Sequence, residues 1–497
     1  ITMDDGWWQT KLQELPNKPL ETMGIMYAQL DENAPVTPQI LAALLQSQAL
    51  YDCGIAPDGV SYNEVTDKAV DMVRVCLDRL LPNVHDANFP ELLGKPLAHP
   101  NAAIRSTVLR YVKDQLQQQS KPLPNNKLLL LVLDELQQQE TRASGLVMQI
   151  LDVQLLQWLT DSQVLDQLVN LLQQNDVTRC RVYELGVMLA KHSPAALEAV
   201  EFILDAALTE LLGSSDVLLM CSVMEILVPL AEQNHGLSFM ERRGVLETIG
   251  KHVENYREGS INSTLLLPGI MKFFGKVAVV QPQKVIQGYP YLLNCLVQLL
   301  MSDELDMLPI GMETMANLLS STQGKTLLQT QLPSQLPQLF AKYGEYLVHS
   351  APPLKLRLLE SLDVIYTTDG KPSNEIISLL GGWYETIAGG LQIDHLLKLI
   401  NTPFADLQIA ALGYLKTICQ FDWGVKAVQE TAGAIEFLLS RQQQLDNNVK
   451  YLKWQVMELL SVSAAFSPSE IVRFTAYVKE GPYYVPTQVN IATEGSN

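Results

Sequence analysis

The sequence predicts an all-α protein, a HEAT/armadillo-type α-solenoid, and three observations predict it. Amphipathic helices of about four turns recur along the chain, the intervals between them cluster around one repeat length, and the composition favours helix over strand. Of 497 residues, 47% are apolar and 18% are charged, so the chain buries a large core and is not disordered. Leu and Gln dominate and runs of β-branched residues are few. Length alone suggests about three globular domains. A repeat array uses the same length differently, because each repeat packs only on its neighbours.

In chain order, the first fifty residues read as an irregular helical cap, with helices over 9–15 and 37–54. His99-Pro100-Asn101 then precedes an apolar-periodic stretch from Ile104 to Tyr111. Asn175-Asp176 opens a helix over 177–190, and Ser215-Asp216 opens one over 217–231. Pro352-Pro353 precedes 354–366, Thr402-Pro403 precedes 407–418, and Asn447-Asn448 precedes 449–461. Successive starts at Asp176, Asp216, Asn262, Asp306 and Pro353 lie 40, 46, 44 and 47 positions apart, in or near the length of a HEAT or armadillo unit. About ten or eleven repeats are expected. They divide into a cap with the first repeats (1–100), the main array (101–470), and a last helix from Ser467-Pro468 with an extended, frayed tail (471–497).

A second pattern marks the helix that follows within a unit. Gly236-Leu-Ser-Phe239-Met240 leads to Gly244-Val245-Leu246, Gly424-Val425-Lys-Ala427-Val428 leads to Gly433-Ala-Ile435, and Gly324-Lys-Thr-Leu327-Leu328 begins the same way. Glycine there lets the chain turn sharply between closely packed helices. These Gly-led segments, 236–253 and 424–441, are where the concave wall of the solenoid is expected.

Charge and motifs narrow the function. With 35 Lys plus Arg against 54 Asp plus Glu, the net charge of −19 repels a phosphate backbone, so no nucleic-acid partner is expected. No Lys/Arg cluster suits an anionic membrane, and apolar runs such as 128–133 fall far short of the ~20 residues of a span. Met3-Asp4-Asp5-Gly6-Trp7-Trp8 is acidic where a secretory signal is basic and then apolar. The six cysteines (53, 76, 180, 221, 295, 419) are far apart, form no CxxC, and read as buried, reduced thiols of a cytoplasmic or nuclear protein.

No catalytic constellation appears. Gly324-Lys325-Thr326 resembles the end of a P-loop, yet Leu319 stands where the other glycine belongs and helix precedes it. The seven histidines are scattered, none lies in HExxH, and no cofactor or metal is expected. A Trp-x-x-x-Asn ladder for basic import peptides is also missing: Ser162, Ile387, Ala427 and Glu458 follow Trp158, Trp383, Trp423 and Trp454 by four positions. Binding of another protein is what remains.

Several strings carry a family resemblance. They are Arg181-Val182-Tyr183-Glu184-Leu185, Ser215-Asp216-Val217-Leu218, His235-Gly236, and Leu267-Pro268-Gly269-Ile-Met-Lys272-Phe273-Phe274-Gly275. Asn175-Asp176, Gly244-Val245, Tyr289-Pro290, Glu480-Gly481-Pro482-Tyr483-Tyr484-Val485 and a closing Thr493-Glu494-Gly495 complete the set, which covers residues 170 onward. In these the chain resembles the HEAT/armadillo-repeat assembly chaperones of the 26S proteasome base. The resemblance implies binding to the C-terminal domain of the first AAA ATPase subunit, in a module with the second ATPase and the largest non-ATPase subunit. It also implies opposition to premature docking on the 20S core, with no enzymatic activity and a monomeric free state. Arg181, Glu184, Lys272, Phe273, Phe274, Tyr483 and Tyr484 are the candidate contact residues. For Phe273, Phe274 and Tyr183 a place in the core is the competing reading, and for Tyr483 and Tyr484 it is packing of the tail on the last repeat. A general armadillo adaptor or transport receptor, and a stable scaffold subunit of a large complex, are the alternative functions.

Overall fold

The computed structural model describes residues 5–31, 36–53, 64–118, 121–138, 144–256, 261–302, 305–387, 392–441 and 446–484. Among them the only regular secondary structure is helical. The helix starts read from sequence reappear within a few residues, as Ala102–Gln118, Asp176–Ala190, Val217–Ala231, Pro352–Tyr366, Ala405–Ile418 and Asn447–Ser461. Side-chain caps fix several of them. Asn175 accepts from the Thr178 N–H, Asp216 from those of Leu218 and Leu219, and Asp446 from that of Asn448. The last helix, Pro468–Glu480, starts with a capping box between Ser467 and Glu470. In the cap the helix Pro19–Asp31 was not foreseen, and the 37–54 stretch is broken into Pro38–Leu45 and Gln48–Cys53.

The chain divides into two compact units, Ile1–Phe239 and Met240–Asn497. Each is an all-α solenoid in which one helix of every repeat lies beside its counterpart in the next. In unit 1 this ladder runs through Pro19–Asp31, Glu64–Leu80, Ala102–Gln118, Ser144–Gln154, Asp176–Ala190 and Val217–Ala231. In unit 2 it runs through Ile261–Val280, Leu308–Leu318, Pro352–Tyr366, Ala405–Ile418 and Asn447–Ser461. Shorter helices form the opposite layer, and Leu, Ile, Val and aromatic side chains fill the space between.

The Gly-led segments belong to that opposite layer, and each is two helices rather than one. Asn234–Arg242 and Val245–Tyr256 are separated at Gly244, with φ +69°, and Asp422–Glu430 and Ala434–Leu439 at Gly433, with φ +77°. The leading glycines have a different reason. A Cβ on Gly236, Gly324 or Gly424 would stand 2.2, 2.0 or 2.0 Å from the carbonyl oxygen six residues earlier, that of Leu230, Leu318 or Ile418. Close approach to the end of the preceding ladder helix therefore requires glycine at all three.

Buried donors then tie repeats together by gripping carbonyls at helix ends, where intrahelical partners run out. Arg105 donates to the His99 and Pro100 carbonyls, each at 2.6 Å, and to the Glu135 carboxylate at 2.9 Å. Lys325 donates to Ser320 O and Thr367 O, at 3.1 and 2.9 Å, and so joins the ends of two neighbouring ladder helices. The Tyr346 hydroxyl reaches Leu300 O and Ser302 O of the preceding repeat, while Gln392 and Gln408 each donate to two carbonyls close in sequence at neighbouring helix ends. The lysine that suggested a nucleotide loop is thus a buried structural tie, and burial lowers its ammonium to about 8.

Candidate protein-binding surface

The ladder helices expose one side, and equivalent positions on it are found by counting from each N-cap. In unit 1, Val177, Cys180 and Glu184 of one helix recur 41 positions later as Leu218, Cys221 and Glu225 of the next. Glu184 and Glu225, nine residues beyond their N-caps, are exposed, and Leu218 is 79% exposed. In unit 2 the position nine beyond the N-cap is held by Ala316, Glu360, Gly413 and Gln455.

Small side chains in that column open two clefts in unit 2. One, of about 700 Å³, lies among Pro352–Tyr366, Ala405–Ile418 and Asn447–Ser461. Leu356, Ile409, Ala410, Gly413 and Leu452 supply its apolar lining, and Arg357, Glu360, Asp363, Asp406 and Lys416 its charges. The second, of about 360 Å³, lies between Leu308–Leu318 and Pro352–Tyr366 and shares Arg357 and Glu360 with the first. Arg357 pairs with Glu360 at 3.1 Å, Lys416 donates to Gln455 at 3.3 Å, and Lys276 reaches Glu313 of the next helix at 3.7 Å.

The candidate contact residues divide between surface and core. Glu184 and Lys272 are exposed on ladder helices, and Lys272 lies one turn before Lys276 on the same side. Arg181 is 8% exposed and donates to the Leu136 and Gln138 carbonyls, joining two repeats of unit 1. Phe273 and Phe274 are buried, edge to face at 5.7 Å, with the Tyr289 ring tilted 4.8 Å from Phe274. In this form of the chain neither ring offers surface to a partner. Tyr183 is buried too, its hydroxyl donating to Glu210 at 2.8 Å; desolvation, then this bond, raises its pKa. Tyr483 and Tyr484 are exposed just past the last helix. Arg441 directs that exit: it lies 3.5 Å over the Tyr477 ring, donates to Gly481 O at 2.8 Å, and sits 5.6 Å from the Tyr484 ring. The extended tail was expected from Gly481; residues 482–483 form a turn instead, and the tail from Val485 on lies outside the described residues.

A model of the family described as proteasome non-ATPase 26S subunit matches residues 4–497. The chain belongs to this family. It is 47% identical over 99% of its length to the 26S proteasome non-ATPase regulatory subunit 5 of Drosophila melanogaster, and covers 99% of that protein. The protein of the same name from Bos taurus is 26% identical over 88% of this chain and 89% of its own. Among solved structures, a designed armadillo repeat protein aligns at 18% identity and a TM-score of 0.38, over 51% of this chain and 98% of that one. The helix ladders establish the architecture.

In this family member the strings that carried the resemblance are largely packing devices. Lys272-Phe273-Phe274-Gly275 ends in a glycine whose Cβ would lie 3.3 Å from Thr314 Cα, so it sets a close helix crossing. Trp383 and Trp454 direct their indole N–H groups to Gln329 and to Val478 O, inside the packing. The cleft residues Arg357, Glu360, Asp363, Asp406, Gly413 and Lys416 were missed from sequence. Glu360 and Gly413 stand nine, and Asp363 and Lys416 twelve, residues beyond their N-caps, but their meeting in one cleft depends on helices packed side by side.

Proposed function

We propose that this chain is a non-enzymatic chaperone for assembly of the proteasome regulatory-particle base. It binds the C-terminal domain of the first AAA ATPase subunit through the exposed side of its helix ladders. The module so held includes the second ATPase and the largest non-ATPase subunit, and the bound chain opposes early docking on the 20S core. It acts in cytoplasm and nucleus and leaves before the 26S particle is complete. The observation that carries this reading is the whole-length relation to proteins named as regulatory subunits of the 26S proteasome. The geometry supports it, because a row of parallel helices with clefts between them suits a folded helical domain, and such interfaces bury about 1,000–2,000 Å².

A pull-down from native extract, resolved by mass spectrometry beside purified 26S particles, tests the proposal. Recovery of the first two base ATPases and the largest non-ATPase subunit, without 20S subunits, is the expected result. Recovery of the complete particle with its core would replace the chaperone with a stable scaffold, and recovery of import cargo would replace it with a transport adaptor.

A further inference from the structure

The larger cleft of unit 2 combines an open apolar floor with carboxylates that form no ion pair among the described residues. Gly413 lies inside the helix Ala405–Ile418, where glycine is unfavourable relative to alanine, and a Cβ there would meet nothing within 4 Å. Gly324 and Gly424 answer to a carbonyl against them; Gly413 answers to no neighbour in this chain. The charges around it are also incompletely matched. Arg357 faces Glu360 and Lys416 faces Gln455, while Asp363 accepts from the Thr417 hydroxyl. Among the described residues, no Lys or Arg forms an ion pair with Asp363 or Asp406. The cleft thus pairs an open apolar floor of Leu356, Ile409, Ala410 and Leu452 with two carboxylates that lack a cation.

From this we infer that the cleft receives a helix of the partner domain, which inserts one aliphatic or aromatic side chain over Gly413 and brings a lysine or arginine, one turn away, to Asp363 and Asp406. The inference rests on the functional reading above and adds where on the ladder the anchoring contact lies. A desolvated apolar anchor in a pocket, ringed by polar groups, is the arrangement that concentrates binding energy at protein interfaces. A cation brought to the rim completes the charges and fixes the register of the incoming helix. The volume of about 700 Å³ falls within the range of sites that enclose a ligand group from several sides.

The test compares the full chain with Gly413→Leu and Asp406→Lys, titrated against the isolated C-terminal domain of the first base ATPase, with thermal unfolding of each variant. Gly413→Leu fills open space in a helix, so its Tm is expected to equal or exceed that of the parent, while its Kd weakens by roughly tenfold or more. Asp406→Lys is expected to weaken binding severalfold and to flatten its dependence on salt. Parent-like affinity of a folded Gly413→Leu chain, with the parent itself binding, would overturn the cleft and leave the functional reading standing. Absence of binding by the parent would overturn that reading and this inference with it. Self-association of the parent that Gly413→Leu abolishes would also overturn the inference, marking the cleft as a contact between copies.

Discussion

The two units share one plan and differ in what they place on it. Unit 1 carries 15 Lys plus Arg against 30 Asp plus Glu, and unit 2 carries 20 against 24, so most of the excess negative charge lies in residues 1–239. Nine residues beyond the N-cap, unit 1 presents Glu184 and Glu225, whereas unit 2 interleaves Ala316 and Gly413, which line its clefts, with Glu360 and Gln455. A charged row acts at a distance and sets encounter rates, while a cleft acts only on contact and sets residence time. On the proposed reading, the excess charge of unit 1 steers the partner and the cleft of unit 2 anchors it.

The units also bury their cations differently, and this yields the largest predicted effect. Arg105 faces the buried Glu135, whose pKa is raised by desolvation even with the guanidinium beside it. Arg105→Met would strand that carboxylate and is expected to destabilise unit 1 by about 3–5 kcal/mol. Lys325→Met in unit 2 removes only two bonds to carbonyls, and a smaller loss of about 1–3 kcal/mol is expected. Denaturant unfolding of both variants checks this; equal losses would break the contrast.

Two glycines on neighbouring helices sharpen it next. Gly424→Ala forces a Cβ against Ile418 O, so a loss of about 1–3 kcal/mol is expected, whereas Gly413→Ala should gain up to about 1 kcal/mol from helix propensity. A destabilised Gly413→Ala chain would show that this glycine is structural after all.

The third prediction concerns alkaline pH. Burial lowers Lys325 and Lys453 to about 8 from their ordinary 10.5, so above pH 8 the folded chain has released protons that the unfolded chain keeps. Stability from these groups therefore rises between about pH 8 and 10. Beyond that, Tyr343, Tyr366 and Tyr414, held neutral by desolvation, reverse the slope. The double variant Lys325→Met, Lys453→Met should lose the rise, as thermal scans across that window would record.

The smallest effect is kinetic. Glu184→Gln with Glu225→Gln is expected to slow association severalfold at low salt and to leave dissociation unchanged. Stopped-flow binding at two ionic strengths measures it, and an altered off-rate would move these residues from steering to contact.

What the sequence revealed follows from which physics is local. Helix starts are written in the N-cap and its neighbours, so Asn175, Asp216 and Asn447 marked three of them within one residue. The Gly-led helices were recognised without their cause, because the carbonyl that excludes a Cβ from Gly324 becomes visible only when Leu318 ends its helix beneath it. Some of the distinctive strings serve packing, for a related reason. Arg181, Phe273 and Phe274 stand out in sequence because they tie or fill repeat junctions. Lys272 and Glu184, charged and one turn from apolar neighbours, were legible as surface. Gly413 and Asp406 were not, since an open cleft is a property of three helices side by side.

The most direct test of the account is lysine footprinting of unit 2 with and without the C-terminal domain of the first base ATPase. Lys272 and Lys416 lie on ladder helices, and Lys284 and Lys426 on helices of the opposite layer. Binding through the ladder predicts that Lys272 and Lys416 become protected while Lys284 and Lys426 keep their reactivity. Protection of Lys284 and Lys426, with Lys272 and Lys416 unchanged, would contradict it.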